Sequence, residues 1–192
     1  MQRFTLALAG LLALIPAPFA HANGATGTSA TTHVPAALAV TRRLGAPPAG
    51  VTELKFADMF KLPVGPKGLE PTDRLRTLDG KRVRIVGYMV QQELPVAGSF
   101  MLSPLPASAG DEDESLADDL PASTIIVQLP NGPGTIVPDL HGLIRVTGVL
   151  HVGATEVART ERVAAARVTL DARTERALLR LAREAAARKK AR

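Results

Sequence analysis

The densest set of chemically capable side chains in this sequence is acidic. Asp111, Glu112, Asp113, Glu114, Asp118 and Asp119 place six carboxylates within nine positions. Oxygen donors of this kind suit calcium or magnesium, and Asp111, Asp113 and Ser115 carry the first, third and fifth offsets of a calcium loop. The sixth position is Leu116 where that loop needs glycine, and the twelfth is Ala122 where it needs a bidentate glutamate. The stretch therefore reads as a solvated, self-repelling loop, with Asp111, Asp113, Asp118 and Asp119 as weak metal candidates.

The other reactive types are sparse. His141 and His151 bracket an expected strand, which at roughly 3.3 Å per residue sets them about 30 Å apart, too far to share an ion. Asp139 beside His141 offers a pH-sensitive pair in a surface loop. Neither Gly-x-Ser-x-Gly nor Ser-x-x-Lys occurs. A hydrolase would need a dispersed site, with a serine or aspartate brought to His141 or His151 by the fold. The absence of cysteine removes disulfides, zinc-thiolate sites, haem attachment and thiol nucleophiles. No cofactor is implied. Aromatic residues make up 3% of the chain, too few for the stacking platforms of single-stranded nucleic-acid binding.

Positive charge is concentrated at one end. Residues 171–192 carry eight Lys and Arg against three carboxylates, so the formal net charge of +5 belongs to the tail and not to a nucleic-acid-binding core. Asp171 is placed to cap a helix in which Leu178, Leu181, Ala182 and Ala185 share one face. Arg173, Arg176, Arg180 and Arg183 form a stripe on roughly the opposite side, which reads first as the solvated outer face of a packed helix and next as a contact for an acidic partner or, more weakly, anionic lipid.

Period-two alternation marks the elements ahead of that tail. Val83, Ile85, Gly87 and Met89 alternate with Arg84, Val86 and Tyr88. Further strands are expected over 98–103, 124–129, 143–152 and 163–170. Leu78-Asp79-Gly80 and Leu140-His141-Gly142 each precede a strand with a glycine inside it, Gly87 and Gly148, as expected where a strand bends at a barrel corner. The reading is mainly β: a small five-stranded OB-like Greek-key barrel over 79–170, with the acidic loop 111–119, a short N-terminal helical arm and a C-terminal amphipathic helix over 171–192. The arm spans 52–78, with Thr52 capping a helix through Phe60 that Pro63 stops. Residues 23–51, rich in Ala, Gly, Thr and Pro, are expected to form a flexible leader. Arg3, the apolar run from Phe4 to Ile15, and Ala20-His21-Ala22 read as a signal peptide cleaved near Ala22, which implies a periplasmic protein.

The segments Leu54–Phe60, Pro63–Glu70 and Gly80–Val90, the last containing Gly87-Tyr88-Met89-Val90, carry a resemblance. They are similar to an uncharacterised family of secreted proteobacterial proteins with a Gly-Tyr-Met-Val strand motif, over roughly residues 53–130. The resemblance implies a periplasmic OB-like domain and brings no catalytic residue. A related secreted family, with a Cys-His-Pro-Pro-type segment after the second strand, includes proteins resembling accessories of envelope transporters. This chain has the acidic stretch 111–119 in that place.

These features point to a noncatalytic periplasmic module that contacts a protein or envelope component. Arg84, Tyr88, Arg145 and Thr147 are expected on its outward binding face, and Arg176, Arg180 and Arg183 as an auxiliary contact. A divalent-cation-binding protein and a dispersed-site hydrolase are the alternatives.

Overall fold

The structure, a computed structural model, describes residues 34–41, 44–66, 68–109, 120–156 and 163–191. It is mainly β, with a six-stranded sheet, a second sheet of two strands and a C-terminal helix. Strand β1 (Thr52–Glu53) runs parallel to β2 (Arg82–Met89). The short β3 (Gln91–Gln92) pairs in parallel with β5 (Ser108–Ala109), and β4 (Ser99–Ser103) lies between them in sequence. Then follow β6 (Ile125–Gln128), β7 (Leu143–Glu156) and β8 (Val163–Leu170).

The expected alternation places the core. Val83, Ile85, Leu102, Ile125, Val127, Ile144, Val146, Leu150 and Val168 are inward and fully buried. Each alternate residue faces the other way, because successive strand side chains point to opposite sides. Pairing runs antiparallel from β2 to β4, from β4 to β6 and from β7 to β8, and parallel from β6 to β8. Strand β7 also pairs antiparallel with β2, from Arg82 opposite Val149 to Tyr88 opposite Leu143. The order of neighbours thus returns to its starting strand.

The two internal glycines stand where backbones approach closely. A Cβ at Gly87 would lie 2.7 Å from the Ser103 carbonyl oxygen and 2.8 Å from the Phe56 ring, and one at Gly148 would collide with the Thr169 carbonyl. Strands pack too tightly there for any side chain, which is a use of glycine for space as well as for bending.

Helix α2 (Ala172–Lys190) begins as its sequence dictates. The Asp171 carboxylate accepts the Thr174 N–H at 2.8 Å, and Leu178, Leu181 and Ala182 are buried. Arg188, Lys189 and Lys190 occupy the last turn, at the negative end of the helix dipole. The Asp171 N–H donates to the Thr147 carbonyl at 2.9 Å, tying the helix start to β7.

Two N-terminal expectations are corrected. Thr52 caps no helix: it belongs to β1, and the segment behind it holds only a 3-10 turn over Phe56–Asp58. The ladder partner offered by β2 outweighs the local helix signal, since a two-residue strand satisfies backbone groups that would otherwise be buried unpaired. The arm's α-helix lies later, at α1 (Asp73–Thr77), where Thr72 Oγ1 accepts the Leu75 N–H at 3.1 Å. The described part of the expected leader is packed and not free. Leu38 is fully buried in the main core, Val51 is buried, and Ala39 bridges Ile144 of β7. Composition hid this because one well-placed leucine outweighs many small residues. The expected signal peptide and residues 23–33 lie outside the described residues.

Candidate functional site

Register brings the expected outward residues of β2 and β7 together. Arg84 stands opposite Thr147, Val86 opposite Arg145 and Tyr88 opposite Leu143. These neighbours lie close together, yet much of the surface they share is covered. Arg84 is only 4% exposed. Its Nη2 donates to Glu53 Oε2 at 2.5 Å and to the Gly45 carbonyl at 2.9 Å. Its Nε is buried without a hydrogen-bond partner among the described residues. Arg84 is therefore a structural cation and not part of an open wall. Alternation assigns a residue to a face but cannot say which distant segment will lie over that face.

The covering segment is the former leader. The Arg145 backbone N–H donates to the Leu38 carbonyl at 2.7 Å, and its Nη2 reaches the Ala36 and Ala37 carbonyls at 3.4 Å each. Arg145 thus holds residues 36–38 in place. Thr147 is half-buried, its carbonyl used by Asp171. Tyr88, by contrast, lines an open groove.

Residues 35–37, held in this way, form one wall of a groove of about 460 Å³ whose other wall is α2. Arg173, Arg176 and Arg180 line it together with Ala177 and Leu181. All three arginines are exposed, and among the described residues none has a carboxylate within ion-pair distance. Glu184, at one end, lies 3.7 Å from Arg188. Along an α-helix the three guanidinium-bearing positions are spaced by about 4.5 and 6 Å of axial rise. Such a row of uncommitted planar donors is suited to carboxylate or phosphate groups, which it can bind bidentately. Arg183 is exposed nearby and does not line the groove.

A second groove, of about 490 Å³, is bounded by Tyr88, Gln91, Ser108 and His141 over Met89 and Leu140. Gln91 Nε2 and His141 Nδ1 lie 3.3 Å apart. Among the described residues, no hydrogen bond joins His141 or His151 to a serine or aspartate. No cluster of three or more His, Asp or Glu side chains that could hold a metal occurs among them either. The metal candidates Asp111, Asp113, Asp118 and Asp119 lie outside the described residues.

One buried group was missed from sequence. Glu175 is 1% exposed. Its carboxylate accepts the Asn131 backbone N–H at 2.5 Å and Asn131 Nδ2 at 2.7 Å, fastening the turn after β6 to α2. The signal was legible: Glu175 precedes Leu178 by three residues and so shares the buried stripe.

No family model matches this chain, and no curated protein matches it. A crystal structure of a DUF3299 family protein from Pseudomonas aeruginosa PAO1 is similar over 66% of this chain and 94% of that one, at 16% identity and a TM-score of 0.45. No helix among the described residues is long and apolar enough to cross a membrane.

Proposed function

We propose that this chain is a noncatalytic periplasmic binding module of the secreted family with the Gly-Tyr-Met-Val motif. Its core is a closed five-stranded OB-like Greek-key barrel, and it contacts an acidic protein or envelope component, in the manner of a transporter accessory. The barrel reading is supported by the cyclic order β2–β4–β6–β8–β7 and by the parallel β6–β8 pair. OB modules commonly bind across their second and third strands. The counterpart here is the outer side of β4 and β6, where Met101 and Ile126 are buried beside Val90 and Ala109, with Leu120 packed against them. That arrangement shifts the contact surface toward α2.

The observation that carries the reading is the groove in which Arg173, Arg176 and Arg180 stand without carboxylate partners among the described residues. Arg183 extends the contact, and Tyr88 marks a second point. Cross-linking in intact envelope, followed by affinity capture, tests the proposal. Wild type should recover a discrete partner that a variant combining Arg176→Ala, Arg180→Ala and Arg183→Ala loses while staying folded. Equal recovery by both would sink it.

A further inference from the structure

We infer that the groove bounded by Tyr88, Gln91, Ser108 and His141 is a binding site for a neutral saccharide. It shares no residue with the arginine groove, and none of its lining residues is Asp, Glu, Lys or Arg. An anion would meet no guanidinium or ammonium there, and a cation no carboxylate. A wholly apolar ligand would strip water from the amide, hydroxyl and imidazole groups without replacing their hydrogen bonds. The walls offer a mixture: Met89 and Leu140 are buried beneath, and Gln91, Ser108 and His141 are exposed around them. A groove of about 490 Å³ falls within the range that small-molecule sites occupy, and apolar lining with a few convergent polar groups is their usual make-up.

Each of the four polar side chains can both give and take a hydrogen bond: the Tyr and Ser hydroxyls, the Gln amide through its two ends, and the imidazole through its two nitrogens. Sugar hydroxyls have the same double capacity, so every pairing can be made in one sense or the other. Gln91 Nε2 and His141 Nδ1 stand 3.3 Å apart and join the β3 side of the groove to the loop before β7. Two hydroxyls on neighbouring carbons of one ring can therefore engage both. Tyr88 lies opposite Leu143 in the β2–β7 ladder, and Leu143 is 42% exposed, so the pair gives an apolar rim for the C–H face of a sugar ring. A peptide laid down as an added strand fits less well. The Gln91 N–H donates to the Ala107 carbonyl and the Glu93 N–H to the Ala109 carbonyl, which turns the Ser108 N–H and C=O away from β3. Among the described residues that pair is too short an edge for strand addition, since β5 has two residues and Pro106 has no N–H.

Saturation-transfer NMR of the full chain with chitotetraose, maltotetraose and cellotetraose provides the test. Wild type should transfer magnetisation to at least one of them, and titration calorimetry then gives the affinity. Gln91→Ala should weaken that binding about threefold to tenfold, the range for one lost hydrogen bond. Tyr88→Ala should weaken it about tenfold, and Tyr88→Phe by less, because the ring contact remains. Gln91 and His141 are exposed, so Gln91→Ala and His141→Ala keep the test open if Tyr88→Ala does not fold. R176E/R180E should bind the sugar as wild type does. Tetragalacturonate, an anionic sugar, should bind more weakly than the neutral ones, since no Lys or Arg lines the groove. Silence with all three neutral sugars overturns the inference, as does binding that Gln91→Ala, His141→Ala and Tyr88→Ala leave unchanged. A blocked neutral peptide that binds through Gln91 and His141, with the sugars silent, would assign the groove to peptide instead.

Discussion

Arg84 and the pair Arg176 and Arg180 are the same residue type in opposite circumstances. Arg84 sits on a strand, closed over by residues from 45 to 53 and held by Glu53 and a backbone carbonyl. Arg176 and Arg180 sit on a helix, exposed, beside a groove in which no carboxylate of the described residues comes within ion-pair distance of them. Removing a guanidinium from water is costly unless a carboxylate and hydrogen bonds replace the lost solvation. The buried arginine therefore comes with its counter-ion. The exposed ones need none, and that is what leaves them free for another molecule.

The comparison breaks at its root if the segment over β2 and β7 is not part of the fold. Leu38→Ala should therefore have the largest effect, a loss of about 2–5 kcal/mol, because a fully buried leucine leaves a cavity behind. At about 2–4 °C per kcal/mol for a domain of this size, calorimetry resolves it easily. An unchanged melting temperature would mean that the segment is merely resting on the sheet.

The buried pair comes next. Glu53→Ala strands the Arg84 guanidinium, and a fully buried pair broken in this way costs about 3–5 kcal/mol. Glu53 is itself 37% exposed, so water can replace part of what is lost and about 2–3 kcal/mol is expected. Arg84→Met should cost less than Glu53→Ala, since the carboxylate left behind is partly solvated. Chemical denaturation of both variants sharpens the contrast, and the reverse order would contradict the assigned burial.

Glu175→Ala removes the acceptor of two Asn131 donors and should cost about 1–3 kcal/mol, the usual range for leaving a buried polar group unpaired. Hydrogen exchange at the Asn131 amide should rise alongside. The smallest effect on stability belongs to the exposed arginines: Arg176→Ala with Arg180→Ala should stay within about 0.5 kcal/mol of wild type while weakening partner capture. A large stability loss there would show the groove arginines to be structural after all.

Much of the β region could be read beforehand. Val83 to Met89 and Val163 to Leu170 alternate cleanly, and both strands form over those residues, as does the Asp171-capped helix. Strand β7 runs four residues beyond its expected end, past an irregularity between Val152 and Thr155 that interrupts the period. The arm misled because Thr52 followed by Leu54 and Phe56 carries a local helix signal, whereas β2 offers a backbone ladder that no local window contains. The site was half legible. The arginine spacing on α2 was plain, but its second wall, residues 35–37, comes from a stretch whose composition gives no sign of order.

The sequence by itself determined which side chains of β2, β7 and β8 face inward, where the C-terminal helix begins, and that the positive charge gathers on one side of it. Those features depend on a period of two or 3.6 and on a capping residue, all set by near neighbours. Only the tertiary structure decided that Arg84 is buried with Glu53 and that Arg145 fastens residues 36–38. It also decided that this segment and α2 enclose a groove. Each of these depends on two stretches far apart in the chain meeting, and local periodicity holds no record of which surface will cover which.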